Sequence, residues 1–376
     1  MQALNFLVKP ASSACNLRCD YCFYEDASNH RMVKNTGVMP TSMVDTLLRE
    51  AYSLAKPGTT VHFAFQGGEP TLAGLDFFRY FVKQAGALCP AGVKTGFAIQ
   101  TNGVLLNEEW ASFLKGEGFL VGLSLDGFKD LHNFHRMDLR KNGSWNTVCR
   151  ALKVLQAHGV PVNALCVVTS HAARKPEKIY AEFKKLGIQY MQFIPCLDPV
   201  GTERGTQPFS LTPQAYADFL CRLFDLWYAD WANGCYRSIR LFDDYIHILL
   251  GENESTCSSC GRCGGYFVVE SDGSLYPCDF FALDPWKIGA LTERPLAELA
   301  QSSQAAAFLH WRSSKPAECE ACPWRGVCNG GCKNDWIEAD DGPHNYFCST
   351  FQQFFGHAMP RLLAVARAEQ QARRRL

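Results

Sequence analysis

The chain has 376 residues, 47% of them hydrophobic, and its 37 basic and 37 acidic side chains leave a formal charge of zero. It can therefore bury one large core or a barrel plus a smaller module, and its neutral balance gives no electrostatic case for nucleic acid or an anionic membrane. No run approaches the roughly 18 apolar residues of a membrane span. The start, M-Q-A-L-N-F-L-V-K-P, lacks the basic head and cleavage site of an export signal, so a cytoplasmic protein is expected. Eighteen cysteines are the anomaly. In a long chain without an export signal such a count points to metal rather than disulfides, and to an anaerobic or microaerobic host.

From Leu4 to about Leu197, β-type runs alternate with helical patterns. The expected strands are Leu4–Lys9, Val61–Gln66, Gly96–Thr101, Leu120–Asp126, Val160–Thr169 and Tyr190–Leu197. Helices are expected over Thr41–Leu54, Leu75–Leu88, Glu108–Lys115, Asn146–His158 and Pro176–Leu186, with Gly and Pro at the joins. This alternation predicts a parallel sheet with right-handed crossovers, and six units fit a partial (β/α)6 barrel of the TIM type. A polar loop from Asp198 leads to another helix at about Pro213–Trp231. After Glu252 the alternation stops and nine cysteines fall at tight spacings, which places a module boundary between Leu250 and Cys257. The expected division is 1–250 for the barrel and its following helix, 251–350 for the cysteine-rich module and 351–376 for a closing helix.

In barrels of this kind chemistry sits at the C-terminal ends of the strands. Cys15, Cys19 and Cys22, at C-x3-C-x2-C spacing, follow the first strand, and Gln66-Gly67-Gly68-Glu69-Pro70 follows the second. Thr101-Asn102-Gly103 ends the third, Ser124 and Asp126 the fourth, and Pro195-Cys196-Leu197 the sixth. Three thiolates this close can hold three corners of an iron–sulfur cube. No fourth cysteine follows before Cys89, so one iron is left open for a ligand that is not protein. The competing reading is a zinc knot, but zinc sites usually complete four ligands locally.

The second cysteine field runs from Cys257 through Cys263, Cys278, Cys319, Cys322, Cys328 and Cys332 to Cys348. Eight thiolates can complete two four-cysteine sites, each able to hold a [4Fe–4S] cluster. Spacing alone does not pair them, and two zinc sites fit nearly as well. Cys260 lies between two candidate ligands; Cys166, within Ala164–Val168, reads as a small core hydrophobe.

The first motif resembles the signature of the radical S-adenosylmethionine (SAM) enzymes, and the second field resembles their SPASM module. Further stretches widen the likeness: F-Q-G-G-E-P-T-L-A-G-L, Q-T-N-G, S-L-D-G, C-V-V-T-S, Q-F-I-P-C-L-D-P and V-V-E-S-D-G-S-L-Y-P-C-D-F. Over essentially its whole length the chain is similar to the anaerobic sulfatase-maturating enzymes. That resemblance implies oxidation of one cysteine or serine of an unfolded or nascent sulfatase, in a Cys/Ser-x-Pro/Ala-x-Arg motif, to Cα-formylglycine. It implies SAM, three [4Fe–4S] clusters and an electron donor such as flavodoxin or ferredoxin. Carried over position by position, Cys257, Cys263, Cys278 and Cys332 would hold one auxiliary cluster, and Cys319, Cys322, Cys328 and Cys348 the other. Tyr21 would lie against the adenine and Leu197 would offer it main-chain groups. Gly67 and Gly68 would let backbone approach the methionine amino group. Ser124 and Arg136 would hold the ribose and the carboxylate.

Asp279, directly after Cys278, would be the proton acceptor, because oxidising a thiol or hydroxyl carbon requires loss of the heteroatom proton as well as a hydrogen atom. Tyr24 and Gln66 are candidates for substrate contacts. Two rivals stay open: a SPASM enzyme forming a thioether or carbon–carbon cross-link in a small peptide, and a non-catalytic zinc scaffold. The first often carries a peptide-binding domain ahead of the barrel, for which a motif beginning at residue 15 leaves no room.

Overall fold

A computed structural model describes residues 3–252, 256–338 and 342–374. Strand β1 is Ala3–Val8, β2 Leu17–Cys19, β3 Thr60–Phe65, β4 Lys94–Thr101, β5 Leu120–Ser124 and β6 Arg136–Asp138. They are followed by β7 Val162–Val168, β8 Tyr190–Pro195, β9 Ser238–Ile239, β10 Phe267–Val269, β11 Ser274–Tyr276 and β12 Gly289–Ala290. Strands β1, β3, β4, β5, β7 and β8 lie parallel and side by side, so the six expected βα units form the expected partial barrel.

Alternation along the strands divides core from cavity. On β3, Val61, Phe63 and Phe65 are buried against the outer helices. On β4, Ile99 joins that core while Gln100 faces the barrel interior. The helices follow the complementary rule: Thr41–Ser53 buries Met43, Val44, Leu47, Leu48 and Ala51, the stripe of an amphipathic helix. Side-chain caps fix two starts, Asn107 accepting from the Trp110 N–H and Thr212 from that of Ala215.

The sheet continues beyond the six strands at both edges. β9 pairs parallel with β8, and β10 pairs parallel with β1, bringing β11 and β12 with it. Two- and three-residue strands carry too little periodicity to be read from sequence. The helix Pro213–Ala232 packs against the C-terminal helix Cys348–Arg373, where Phe354 meets Phe224 edge-on at 5.8 Å and stacks on Phe242 at 5.6 Å. Cys348 thus starts a helix anchored in the main core. Among the described residues no helix is long and apolar enough to cross a membrane.

Candidate active site and cluster sites

The barrel mouth opens on a cavity of about 880 Å³. Its walls bring together Cys15, Cys19, Cys22, Tyr21, Tyr24, Gln66, Gly67, Gly68, Ser124, Arg136 and Leu197, which the sequence scatters over more than 180 positions. The three-cysteine loop is pinned from below by main-chain bonds. The Gly68 N–H donates to the Ser12 carbonyl at 2.9 Å, and the Glu69 N–H to that of Ala14 at 2.7 Å. A Cβ on Gly68 would stand 2.1 Å from the Ala14 oxygen, and one on Gly67, where φ is +139°, 2.9 Å from the Ser12 oxygen. The approach that demands glycine here is therefore of one protein loop to another.

Glu69, quoted in the motif but given no role from sequence, brackets this floor. It is buried and accepts from the Thr71 N–H and hydroxyl, the Thr101 hydroxyl and the Asn102 N–H.

Arg136 reaches the cavity through a local pairing that sequence reasoning missed. β2 runs antiparallel to β6, and the register sets Cys19 opposite Arg136. Read alone, Arg136 looks like a surface residue; it is 8% exposed. Its Nε donates to Asp126 Oδ2 at 2.8 Å, its guanidinium lies 5.4 Å over the Tyr21 ring, and the Tyr21 hydroxyl donates to the same Asp126 oxygen. Asp126 also accepts from the Val167 N–H at 3.0 Å. Burial works against the charge on Asp126, yet Arg136 holds its carboxyl below the usual range. The result is a fixed guanidinium on the cavity wall, suited to a carboxylate.

Asp279 is 5% exposed and carries two donors. Lys9 Nζ lies 2.5 Å from Oδ1, and Gln66 Nε2 lies 2.9 Å from Oδ2. Lys9 is fully buried beneath the Tyr24 ring, 3.6 Å from its centroid. The Tyr24 hydroxyl donates to Glu270 at 2.5 Å, and Arg31 pairs with the same carboxylate at 2.6 Å. Tyr24 therefore offers the cavity its ring rather than its hydroxyl. Lys9 and Glu270 gave no signal in the sequence, because the ion-pair partner of each is more than 230 positions away.

The thiols fall into three groups. Cys15, Cys19 and Cys22 feel one another's charge, and burial pushes Cys15 up to about 11 and Cys19 to about 12. Cys278 and Cys332 neighbour Cys257, which in turn neighbours Cys260 and Cys263. Cys348 neighbours Cys328, Cys319 and Cys322, and these four line a separate cavity of about 550 Å³. Cys257, Cys263, Cys278 and Cys332 thus lie in one neighbourhood, with Cys260 among them, and Cys319, Cys322, Cys328 and Cys348 in another.

Hydrogen bonding differs among the thiols. Cys15 Sγ accepts from the Leu17 N–H, Cys22 from that of Glu25, and Cys348 from the Gln352 amide. Cys166, Cys196, Cys235 and Cys260 instead turn their S–H toward backbone carbonyls, Cys260 toward that of Cys257 at 3.3 Å. A metal-bound thiolate can only accept; Cys89, outside both cysteine fields, accepts from the Thr95 hydroxyl as well as facing the Val93 carbonyl. Among the described residues no three His, Cys, Asp or Glu side chains are close enough to share a single ion.

A parallel partial barrel with three cysteines and a fixed Arg at its mouth defines a radical SAM enzyme with an auxiliary iron–sulfur module. The family model described as the radical SAM superfamily matches residues 10–188, and that described as an iron-sulfur cluster-binding domain matches 257–323. The chain is 43% identical to a cysteine-type anaerobic sulfatase-maturating enzyme of Clostridium novyi, covering 98% of both chains. It is 42% identical to the cysteine-type enzyme of Clostridium perfringens strain 13, over 97% of this chain and 99% of that one. To a serine-type anaerobic sulfatase-maturating enzyme of Bacteroides thetaiotaomicron it is 30% identical, over 95% and 90%. The solved structure of native anSMEcpe with bound AdoMet and Kp18Cys peptide superposes with a TM-score of 0.92 at 41% identity, covering 97% of this chain and 99% of that one. The chain belongs to the anaerobic sulfatase-maturating enzymes.

Proposed function

We propose that this protein oxidises a cysteine of a sulfatase polypeptide, within a Cys-x-Pro/Ala-x-Arg motif, to Cα-formylglycine, with Asp279 as the proton acceptor. The observation that carries this reading is the Asp279 carboxylate. It is held between Lys9 and Gln66, Gln66 lies on the wall of the cavity that bears Cys15, Cys19 and Cys22, and Asp279 directly follows the thiolate Cys278. Cysteine is preferred over serine as the target because the cysteine-type relatives are 41–43% identical and the serine-type ones 29–30%.

Cys15, Cys19 and Cys22 would hold the cluster whose open iron takes SAM, and the two sets of four cysteines one auxiliary [4Fe–4S] cluster each. Arg136 would pair with the SAM carboxylate, Ser124 with the ribose, and Tyr21 and Leu197 would flank the adenine. SAM bound to the reduced cluster supplies a radical able to take a Cβ hydrogen. The protein does the rest. Gln66 and Lys9 orient the Asp279 carboxylate and compensate its buried charge. Asp279 takes the S–H proton, and a cluster held by Cys278 beside it would supply the acceptor for the substrate's second electron. The resulting thioaldehyde is hydrolysed to the aldehyde with release of sulfide. The barrel and its following helix would correspond to 1–250 and the auxiliary module to 251–350, closed by the C-terminal helix Cys348–Arg373, in a cytoplasmic enzyme served by a flavodoxin- or ferredoxin-type donor.

Anaerobic incubation with SAM, reductant and paired Cys- and Ser-containing sulfatase peptides, followed by mass spectrometry, tests the reading. Conversion of the Cys peptide to the aldehyde, faster than the Ser peptide, is expected. A cross-linked peptide, or intact SAM, would refute it.

A further inference from the structure

Tyr266 takes no part in the reaction as described, yet its hydroxyl sits between two groups that do. It lies 3.5 Å from Cys278 Sγ, and the backbone N–H of Asp279 donates to it at 3.3 Å. The residue precedes β10 and its ring packs on the small cluster of Val268, Tyr276 and Ala282, so the hydroxyl is held by the fold rather than by a mobile loop. Because the Asp279 N–H occupies an oxygen lone pair, the single hydroxyl hydrogen is free to point at sulfur. A phenol carries its proton at neutral pH and so is an O–H donor here. Elsewhere the accepting thiolates take amide donors: the Leu17 and Glu25 backbones, and the Asn102 and Gln352 side chains. Cys278 is the one described here whose donor is a phenol that also grips the neighbouring residue.

Hydrogen bonds to cluster sulfurs are among the levers that set reduction potential. A donor favours the reduced cluster, which carries one more negative charge, and so raises the potential. We infer that Tyr266 is a positioning residue that raises the electron affinity of the cluster held by Cys278 and, through the same hydroxyl, fixes the backbone of Asp279. The inference rests on the reading that Cys278 is a cluster ligand and Asp279 the base. It couples the two halves of the oxidation: the group that accepts the electron and the group that accepts the proton share one hydrogen-bonded oxygen.

The test is a redox titration followed by electron paramagnetic resonance. It uses full-length protein carrying Cys15→Ala, Cys19→Ala and Cys22→Ala, so that only the auxiliary clusters contribute. Adding Tyr266→Phe should leave iron and sulfide per chain unchanged and move one component to more negative potential, with its reduction equilibrium displaced several-fold and the other component unmoved. Replacing Tyr266 by 3-fluorotyrosine, a stronger phenol donor of the same shape, should move that component to more positive potential. If Tyr266→Phe lost the cluster, the fluorinated variant would decide alone; potentials unchanged in the variants that keep their iron would overturn the inference. With Cys15, Cys19 and Cys22 restored, Tyr266→Phe should lower the yield of product per SAM cleaved. The potentials are read without substrate, so a wild-type protein that makes no formylglycine would refute the proposed function and leave this measurement standing.

Discussion

Cys15, Cys19 and Cys22 span eight residues and open on the barrel cavity, whereas the C-terminal thiols are drawn from positions 257 to 348 and meet only through the fold. In the first region local spacing brings the sulfurs together, and tertiary structure supplies what surrounds them. In the second, tertiary structure does the gathering: Cys332 is brought to Cys257 and Cys278, while Cys319, Cys322 and Cys328 meet the start of the C-terminal helix at Cys348. On the function proposed above, three thiolates beside a large open cavity would leave an iron for a small ligand, whereas Cys319, Cys322, Cys328 and Cys348, walled in by Trp324 and Phe351, would leave none. That reading gives the first region the chemistry and the second the electron.

Breaking the open region should have the largest effect. Cys19→Ala should abolish SAM cleavage, measured as 5′-deoxyadenosine, and remove about a third of the iron if, as proposed, three clusters of equal size are held. An unchanged cleavage rate would undo the distinction between the regions. Next comes the residue where they meet. Asp279→Asn should lower formylglycine formation by roughly 10²- to 10⁴-fold, the usual worth of a positioned general base, while SAM cleavage continues. Mass spectrometry and deoxyadenosine assays run together separate these outcomes.

The strap between the regions is the buried Arg31–Glu270 pair at 2.6 Å, which ties the segment after Cys22 to the end of β10. Glu270→Ala leaves Arg31 buried without its anion and should cost about 3–5 kcal/mol in anaerobic denaturant unfolding. The smallest change is expected at Cys260, whose S–H already has the Cys257 carbonyl as acceptor. Cys260→Ser should keep the full iron content and alter stability by no more than about 0.5 kcal/mol. Iron loss there would admit Cys260 to the ligand set.

The barrel was legible from sequence because its signals are local. The helix expected over Leu75–Leu88 is observed over those residues, and the strand expected at Tyr190–Leu197 runs Tyr190–Pro195. The closing helix begins three residues before its expected start, at Cys348. The cluster motif was equally plain, since a C-x3-C-x2-C spacing places three sulfurs together in almost any loop.

What escaped were short strands and long-range pairs. β2 and β6 have three residues each, too few for a period of two to register, yet their pairing carries Arg136 to Cys19. β10 looked like part of a separate module but extends the barrel sheet beside β1. That pairing brings the end of β10, with Glu270, and the turn after β11, with Asp279, against the chain that follows β1; there Lys9 waits.

By itself the sequence determined the order of βα units, the glycine-rich turn that must lie flat against the cysteine loop, and the number of thiols available for iron. Only tertiary structure decided which thiols become neighbours, that Arg136 lies against Cys19, and that Lys9 and Gln66 hold Asp279. The reason is physical: periodicity and steric demand act between neighbours in the chain, whereas burying a charge requires a counter-charge that folding alone can bring across 270 positions.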